Sequence, residues 1–475
     1  MDERPLVSTE LASLPPGGDV ERQAPSSASR TPDNSSTAFL DGLRGLAAFF
    51  VFIQHCIGNY DNNVHDHGFG EDGHWHLASM PFVRIIFNGG NAAVAVFFVL
   101  SGYVLSRGPM RLVRDGKRDA CLWSLASAVV RRPIRLYAPV FVVSFVFALL
   151  MHAPFGLVEE LPWPKPKDDV FLEIMNWVVD TVKFFNPFRT HDNVAWYTYS
   201  LVVWTIPIEL KGSMLVYGLA ALYAFFAKLS APKCVLLCLI AVVALLQMAY
   251  WTMGCFIAGM LLACLDVNAL DMTFLSRHCS RRARMILYHA AFVGGYYLLC
   301  QPASGGKVEY SLNAPGWHTL TRLIPAAYDK NQYYRFWTSW GSLLLVYSTL
   351  RIPWLQALLK TRPLRYLGRV SFMFYLIHLP MQYMVGDRVG RMFGPLPEDS
   401  PPTWFDNRLR VPNVGPPGFQ LRFMLSMAVM LPLNLVLANF LTKAVDMPCV
   451  RLGRRLTQWL GLDNRVASSK AENSG

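Results

Sequence analysis

Arg44 and His55 are ionisable residues, eleven positions apart, inside the first apolar segment of this 475-residue chain. Ionisable side chains within a membrane span are costly, so their presence there indicates a functional site. With a helical rise of about 1.5 Å per residue, the two residues lie roughly 16 Å apart along the helix axis. Histidine is well suited to take a proton from a hydroxyl near neutral pH. The spacing therefore predicts a helix that binds a long polar donor molecule at one end and catalyses a reaction at the other.

Both residues also have a structural interpretation. His55 can be a helix-packing histidine that bonds to a neighbouring carbonyl. Arg44 can form an interfacial ion pair with Asp41 and extend its charged end to the membrane surface. The choice between these interpretations depends on polar residues in other segments of the chain.

Glu209 is the clearest of these residues. It follows Pro207 at the start of another apolar segment, so its carboxylate lies within or just inside the membrane and needs a partner. Lys211 is too close in sequence to share its helix face. Three roles are open: orienting His55 as an acid does in hydrolytic triads, holding a substrate hydroxyl, or forming a structural pair with an arginine.

Further polar candidates lie in two other apolar segments. Ser101 precedes Gly102, and such a pair permits close helix packing or a hydrogen bond between helices, with packing favoured. Tyr375 and His378 are three residues apart and share one helix face. They are either additional polar residues of the site or interface residues, and the structural role is slightly favoured for His378.

The chain also contains a cluster of metal-ligand residue types. Four histidines and three acidic residues lie between positions 65 and 76. Their glycine-rich spacing fixes no helix face, so a solvated loop is favoured over a metal site. The nine cysteines are scattered and show no zinc spacing or disulfide framework. We therefore expect no metal.

The composition is typical of a membrane protein. Hydrophobic residues make up 53% of the chain and charged residues only 16%, against about 25% charged residues in soluble proteins. Runs of about 18–25 apolar residues mark membrane spans. We predict an all-α fold, a polytopic helical membrane protein with about ten transmembrane helices. The candidate spans are about 39–57, 84–106, 134–152, 204–227, 233–249, 251–267, 284–300, 336–352, 367–387 and 421–443.

The net charge of +12 does not indicate nucleic-acid binding, because the basic residues fall at the ends of apolar segments rather than on a soluble face. Such residues are topology signals, since positively charged loops stay in the cytoplasm. With ten spans the basic connections share one side, and both termini are then cytoplasmic. Residues 1–37 and 456–475 are predicted to be disordered tails that flank a transmembrane domain at 38–455, the first because it offers little apolar surface to bury.

Taken together, five motifs resemble the acyltransferase-3 family of integral membrane acyltransferases. In chain order they lie at 40–48 with His55 following, 97–103, 204–209, 371–380 and 446–448. Any one motif is weak, but five in the right order are specific, and the resemblance covers about 39–455. The Ser/Pro-rich start and the long loops look like those of a filamentous-fungal member.

The resemblance implies acyl transfer from a coenzyme A thioester, usually acetyl-CoA, to a hydroxyl. It implies that Arg44 contacts the acyl donor, that His55 is the catalytic base, and that Glu209 belongs to the site. A guanidinium suits phosphate because it donates two parallel hydrogen bonds.

Basic residues near the inner ends of the helices are expected to add attraction for the donor. We assign this role to Arg131, Arg132 and Arg135. The arginines after the last span either contact phosphates or serve topology alone, and they are Arg451, Arg454 and Arg455.

These observations predict a membrane-bound O-acyltransferase that moves an acyl group, acetyl first, from acyl-CoA to a hydroxyl of a small-molecule metabolite in specialised-metabolite biosynthesis. The alternatives are O-acetylation of a glycan or cell-surface polysaccharide, and a transporter with a proton relay through His55, His378 and Glu209. The expected partners are the hydroxyl acceptor and the lipid bilayer, with no nucleic acid. The membrane that holds the protein and its oligomeric state are left open.

Overall fold

The computed structural model describes residues 37–58, 60, 64, 67–153, 165–186, 196–226, 229–302, 308–328, 332–394 and 402–472. The predicted tail at 1–37 lies outside these residues, apart from Thr37. All regular elements in the described ranges are helical, which confirms the all-α prediction. The α-helices are α1 (Ala38–Ile57), α2 (Arg84–Asn88), α3 (Gly90–Arg114), α4 (Arg118–Leu150), α5 (Val170–Phe185), α6 (Thr205–Phe225), α7 (Ala231–Gln247), α8 (Trp251–Val267), α9 (Leu270–His278), α10 (Arg281–Leu299), α11 (Glu309–Leu312), α12 (Trp317–Arg322), α13 (Arg335–Arg351), α14 (Pro353–Leu359), α15 (Arg362–Met381), α16 (Asp387–Phe393), α17 (Leu421–Leu441), α18 (Met447–Trp459) and α19 (Leu462–Glu472).

Short segments of other helix types extend or join these helices. Two π-helical segments, Gln382–Gly386 and Thr442–Asp446, follow α15 and α17. The second of them carries α17 directly into α18. A 3-10 turn at Leu201–Trp204 leads into α6, and two more lie at Glu71–Gly73 and Leu77–Ser79.

Several helices are long and apolar enough to cross a membrane, which agrees with a polytopic helical membrane protein. Within the described ranges, five helices qualify by length and composition, and the number rises to seven if two bent helix pairs each count as one span. The pairs are α8 with α9, bent by 63°, and α13 with α14, bent by 97°. The predicted count of about ten is therefore not confirmed. α10 and α15 begin with clusters of arginines, which lowers their apolar character, and α7 is shorter, with 17 residues.

Close backbone contacts fix two helix crossings at the centre of the fold. α1 packs along α15, and a Cβ added at Gly45 would overlap the backbone nitrogen of Gly368. α3 packs against α8, where a Cβ at Gly102 would overlap the carbonyl oxygen of Phe256. Small residues let membrane helices approach this closely. The packing role expected for the Ser101-Gly102 pair is thus seen at Gly102.

The 33-residue helix α4 packs both against an interior helix and against the C-terminal segment of the protein. It packs against α6 on one side and against α18 and α19 on another. α19 lies within 456–475, where the sequence predicts a disordered tail. Its contacts with α4 come from tertiary packing, which the composition of the segment did not reveal.

Candidate active site

A cavity of about 180 Å³ lies among α1, α3, α4, α6 and α15, and we call it the inner cavity. All five helices contribute polar residues to its lining, and the remaining walls are apolar. Six of the residues predicted from the sequence line it together: Arg44, Ser101, Arg132, Arg135, Glu209 and Tyr375. Four predicted site residues do not: Asp41, His55, Arg131 and His378.

Thr205 and Ser371 complete the polar lining and were missed from the sequence. Each lies four residues before a predicted site residue, Thr205 before Glu209 and Ser371 before Tyr375. Residues four apart lie on the same face of a helix. That spacing was a signal in the sequence that could have identified both.

Glu209 forms an ion pair with Arg132 across the α4–α6 interface. Arg132 Nη2 donates to Glu209 Oε1, and Arg132 Nε donates to Ser213 Oγ at 2.9 Å. Ser213 Oγ in turn donates to the carbonyl oxygen of Glu209 at 2.6 Å. Only 12% of the Arg132 side chain and 13% of the Glu209 side chain are exposed. Of the three roles that the sequence left open for Glu209, the geometry favours a structural pair with an arginine. The pair also neutralises the charge of Arg132, one of the three arginines that line the inner cavity.

Arg44 and Arg135 give the inner cavity its remaining positive charge. Arg44 Nη1 lies 3.8 Å from Asp41 Oδ1, so the interfacial pair suggested by the sequence forms, but at a long distance and with Asp41 exposed. Arg135 interacts electrostatically with Arg44 and Arg132, which have like charge, and with Asp446. Two guanidinium groups facing one cavity make it suitable for an anion.

His55 lies beside His378, and their ring centroids are 5.2 Å apart. The ring of His378 lies 5.7 Å from that of Tyr375, which lines the inner cavity. His378 is 1% exposed, and its Nδ1 bonds to the carbonyl oxygen of Tyr375 at 2.6 Å. In the neutral ring, this bond leaves Nε2 as an acceptor, and within the described residues Nε2 has no hydrogen-bond partner. Of the two residues on α1 that the sequence singled out, Arg44 lines the inner cavity and His55 does not.

Tyr375 connects the histidine pair to α6. Its hydroxyl donates to the carbonyl oxygen of Val202 at 2.7 Å and bonds to Thr205 Oγ1 at 3.0 Å. Tyr375 itself is buried, with 8% of its surface exposed. These bonds fix the ring between the inner cavity and the two histidines.

A second cavity of about 380 Å³ adjoins the first, and we call it the basic vestibule. It shares Val104, Leu105, Arg132 and Arg135 with the inner cavity. Its further lining comes from α3, α4, α6 and α18 and includes Arg131, Tyr217, Cys449 and Arg454. Arg131, absent from the inner cavity, thus lies in the adjoining one together with Arg132 and Arg135.

The histidine-rich loop forms contacts of its own. His67 Nδ1 lies 2.9 Å from Glu71 Oε2, and the rings of His67 and His74 stack with centroids 3.9 Å apart. His65 lies outside the described residues. Among those that are described, no group of three or more His, Cys, Asp or Glu residues is arranged to hold a metal ion.

Comparison with known proteins assigns this helical membrane protein to a family. Residues 37–438 match the Acyltransferase domain of the acyltransferase-3 family, so the chain belongs to that family. The chain is therefore an integral membrane protein of an acyltransferase family, as the five sequence motifs predicted.

Similar curated proteins come from fungi, in agreement with the expected fungal member. The chain is 28% identical over 385 residues to the O-acetyltransferase PaAT-1 of Phomopsis amygdali. This match covers 75% of this chain and 74% of that protein. It is 25% identical over 398 residues to the acyltransferase R4 of a Phoma species and to the acyltransferase clz18 of Cochliobolus lunatus. Each of these matches covers 72% of this chain and 82% of the relative. No solved structure matches the chain.

Proposed function

We propose that the protein transfers an acyl group, acetyl in the first instance, from acyl-CoA to a hydroxyl of a small-molecule metabolite. The observation that carries this proposal is the inner cavity with the basic vestibule beside it, lined by arginines from α1, α4 and α18. Coenzyme A carries several phosphates at one end and the thioester at the other. Two adjoining cavities, one of them lined by four arginines, suit a ligand of that form.

In the proposed reaction, the hydroxyl oxygen of the acceptor attacks the thioester carbonyl carbon. A C–O bond forms, the C–S bond breaks, and coenzyme A leaves as a thiol. His55 takes the hydroxyl proton during the attack and gives it to the departing sulfur, so the step needs no further reactant. Arg44 and Arg135 hold the donor, whereas Arg132 is already paired with Glu209 and contributes mainly to the shape of the site.

The position of His55 determines where the acyl end of the donor must reach. His55 adjoins His378 rather than the inner cavity, and Tyr375, which lines the cavity, lies beside His378. We propose that the acyl end extends from the cavity toward this pair. His378 Nε2, which has no hydrogen-bond partner among the described residues, would accept a hydrogen bond from the ring of His55 in the reacting complex and position it, as a second group does for the base in hydrolytic triads.

A small, weakly polar acceptor fits the site better than a long glycan. The walls of the inner cavity between its polar residues are apolar, with Phe97, Phe98 and Phe372 among them. The name of one relative, an O-acetyltransferase, supports transfer to oxygen and acetyl as the acyl group. We therefore propose a role in specialised-metabolite biosynthesis.

The test uses membranes from cells that express the wild-type protein, His55→Ala or His318→Ala. His318 lies exposed on α12, away from the site, and is the matched control. The membranes receive labelled acetyl-CoA and a metabolite extract from a strain that lacks the gene. We expect wild type and His318→Ala to form a product heavier by one acetyl group. His55→Ala should lose about 10²–10⁴-fold in rate, the usual contribution of a general base.

Three results would contradict the proposal. Equal rates in wild type and His55→Ala would remove the proposed base. Labelling of polysaccharide alone would favour a glycan acceptor. Movement of an unmodified compound across the membrane, without any acetylated product, would favour a transporter.

A further inference from the structure

The C-terminal helices α18 and α19 lie beyond the family match, which ends at residue 438. α18 nevertheless forms one wall of the basic vestibule, through Cys449, Val450, Gly453 and Arg454. We infer that Arg454 binds a phosphate of the acyl donor, and that α19 fixes α18 in the position this requires. This inference rests on the proposed function, since it names a further donor-binding residue of the same site.

The structure distinguishes Arg454 from its two neighbours on α18. Arg451, Arg454 and Arg455 are all exposed, and the sequence left all three open between phosphate contact and topology. Of these three arginines, Arg454 lines the basic vestibule and the other two do not. The buried residues of α18 include Gly453, where an added Cβ would lie 3.6 Å from Arg131 Cγ, so this part of α18 packs directly on α4. Arg454 follows Gly453 in the chain and lies at the edge of this contact.

The charges of the vestibule leave Arg454 available for an anion. Of its four arginines, Arg132 is paired with Glu209, and Arg131 lies 3.8 Å from Asp463 Oδ1. Within the described part of the chain, Arg135 and Arg454 have no carboxylate within 4.0 Å. Guanidinium groups that face a cavity without a carboxylate partner attract phosphate, which accepts two hydrogen bonds from each.

Asp463 attaches the C-terminal helices to α4. Its Oδ1 accepts a hydrogen bond from Ser127 Oγ at 3.0 Å, and its Oδ2 accepts one from Thr457 Oγ1 at 3.1 Å. The guanidinium of Arg465 lies 4.5 Å from the ring centroid of Trp123. The carboxylate therefore joins α4, α18 and the start of α19. Such anchoring limits the movement of α18 and thereby restricts the positions open to Arg454.

The experiment compares two donors, acetyl-CoA and S-acetylpantetheine, which carries the same thioester without phosphates. The variants of the full-length membrane protein are Arg454→Ala, Arg454→Lys, Arg451→Ala and Arg455→Ala. We expect Arg454→Ala to raise the KM for acetyl-CoA by roughly 10-fold or more with little change in kcat, because one charge-assisted contact is lost. Arg454→Lys should give an intermediate KM. The Arg451 and Arg455 variants should match wild type.

The phosphate-free donor separates donor binding from general damage to the fold. Its KM should be the same in Arg454→Ala as in wild type, since it has no phosphate for Arg454 to hold. An equal rise in KM for both donors would overturn the inference, as would an Arg454→Ala variant that matches Arg451→Ala with acetyl-CoA. A wild-type protein that transfers no acetyl group from either donor would instead overturn the proposed function.

Discussion

Arg44 is the residue at which the donor hypothesis is most direct, because its side chain lines the inner cavity and its ion pair with the exposed Asp41 is long, at 3.8 Å. Arg44→Lys keeps the charge but loses the planar fork that binds phosphate with two donors. We expect the KM for acyl-CoA to rise about tenfold, equivalent to about 1.4 kcal/mol, with kcat largely kept. Steady-state kinetics in membranes would measure both. Arg451→Lys is the matched control, since Arg451 is exposed on α18 and lines neither cavity. An unchanged KM in Arg44→Lys would count against a donor role.

Glu209 gives a prediction that separates a structural from a catalytic role. Its carboxylate and the guanidinium of Arg132 are mostly buried and paired. Glu209→Gln leaves a buried arginine without its counter-charge, which costs about 3 kcal/mol or more. We expect a clear fall in the thermal midpoint of the detergent-solubilised protein, and a partial recovery in the double variant Glu209→Gln/Arg132→Met. Loss of activity at an unchanged midpoint would point to a catalytic Glu209 instead.

Residue types and spacing predicted six of the polar side chains that line the inner cavity, but not how they pair. Arg44, Ser101, Glu209 and Tyr375 lie in motifs whose polar residues are costly in a membrane, so a shared interior site was the natural expectation. The partner of Glu209 is 77 positions away, on α4. Pairing between residues on distant helices depends on how the helices pack, and residue types and spacing in a single sequence do not predict that packing.

At the level of helices, the glycine contacts make the close approach of α3 and α8 testable. A Cβ at Gly102 would overlap the backbone of Phe256, which cannot move away as a flexible side chain does. Gly102→Ala should therefore cost about 1–3 kcal/mol in stability, the usual cost of overpacking. The thermal midpoint and the yield of folded protein after detergent extraction would measure this cost.

Gly218 provides the matched control for this substitution. It lies exposed on α6, and no atom lies within 4 Å of an added Cβ. Gly218→Ala should be neutral or stabilising by up to about 1 kcal/mol, since alanine is the better helix former. If both glycine variants lost the same stability, close helix packing would not be the reason for Gly102.

Apolar runs in the sequence predicted the positions of the long helices. They did not predict the bends between helices or the C-terminal helix α19. All ten predicted spans fall on helices, usually with ends within a few residues. The 97° bend between α13 and α14 occurs at Pro353, a visible signal, but the 63° bend after α8 occurs at Asn268 and Ala269, which carry no such signal. α19 depends on Asp463 contacts with α4, so the polar composition of the segment alone suggested disorder.

For the molecule as a whole, an interaction between the first and the last long apolar helix bears on the number of membrane crossings. Arg44 lies six residues after the start of α1, and Asp446 lies five residues after the end of α17. The two interact electrostatically, so these helix ends lie near one another. The start of the first span and the end of the last are then on the same face. That arrangement favours an even number of crossings, such as the predicted ten.

It follows that both termini should lie on one side of the membrane, and the basic helix ends predict that this side is the cytoplasm. We would place one epitope tag at Met1 and another at Gly475, and treat sealed microsomes with protease. Both tags should be digested without detergent, while a resident lumenal protein stays protected until detergent is added. Protection of only one tag would mean an odd number of crossings. The proximity of Arg44 to Asp446 would then be wrong.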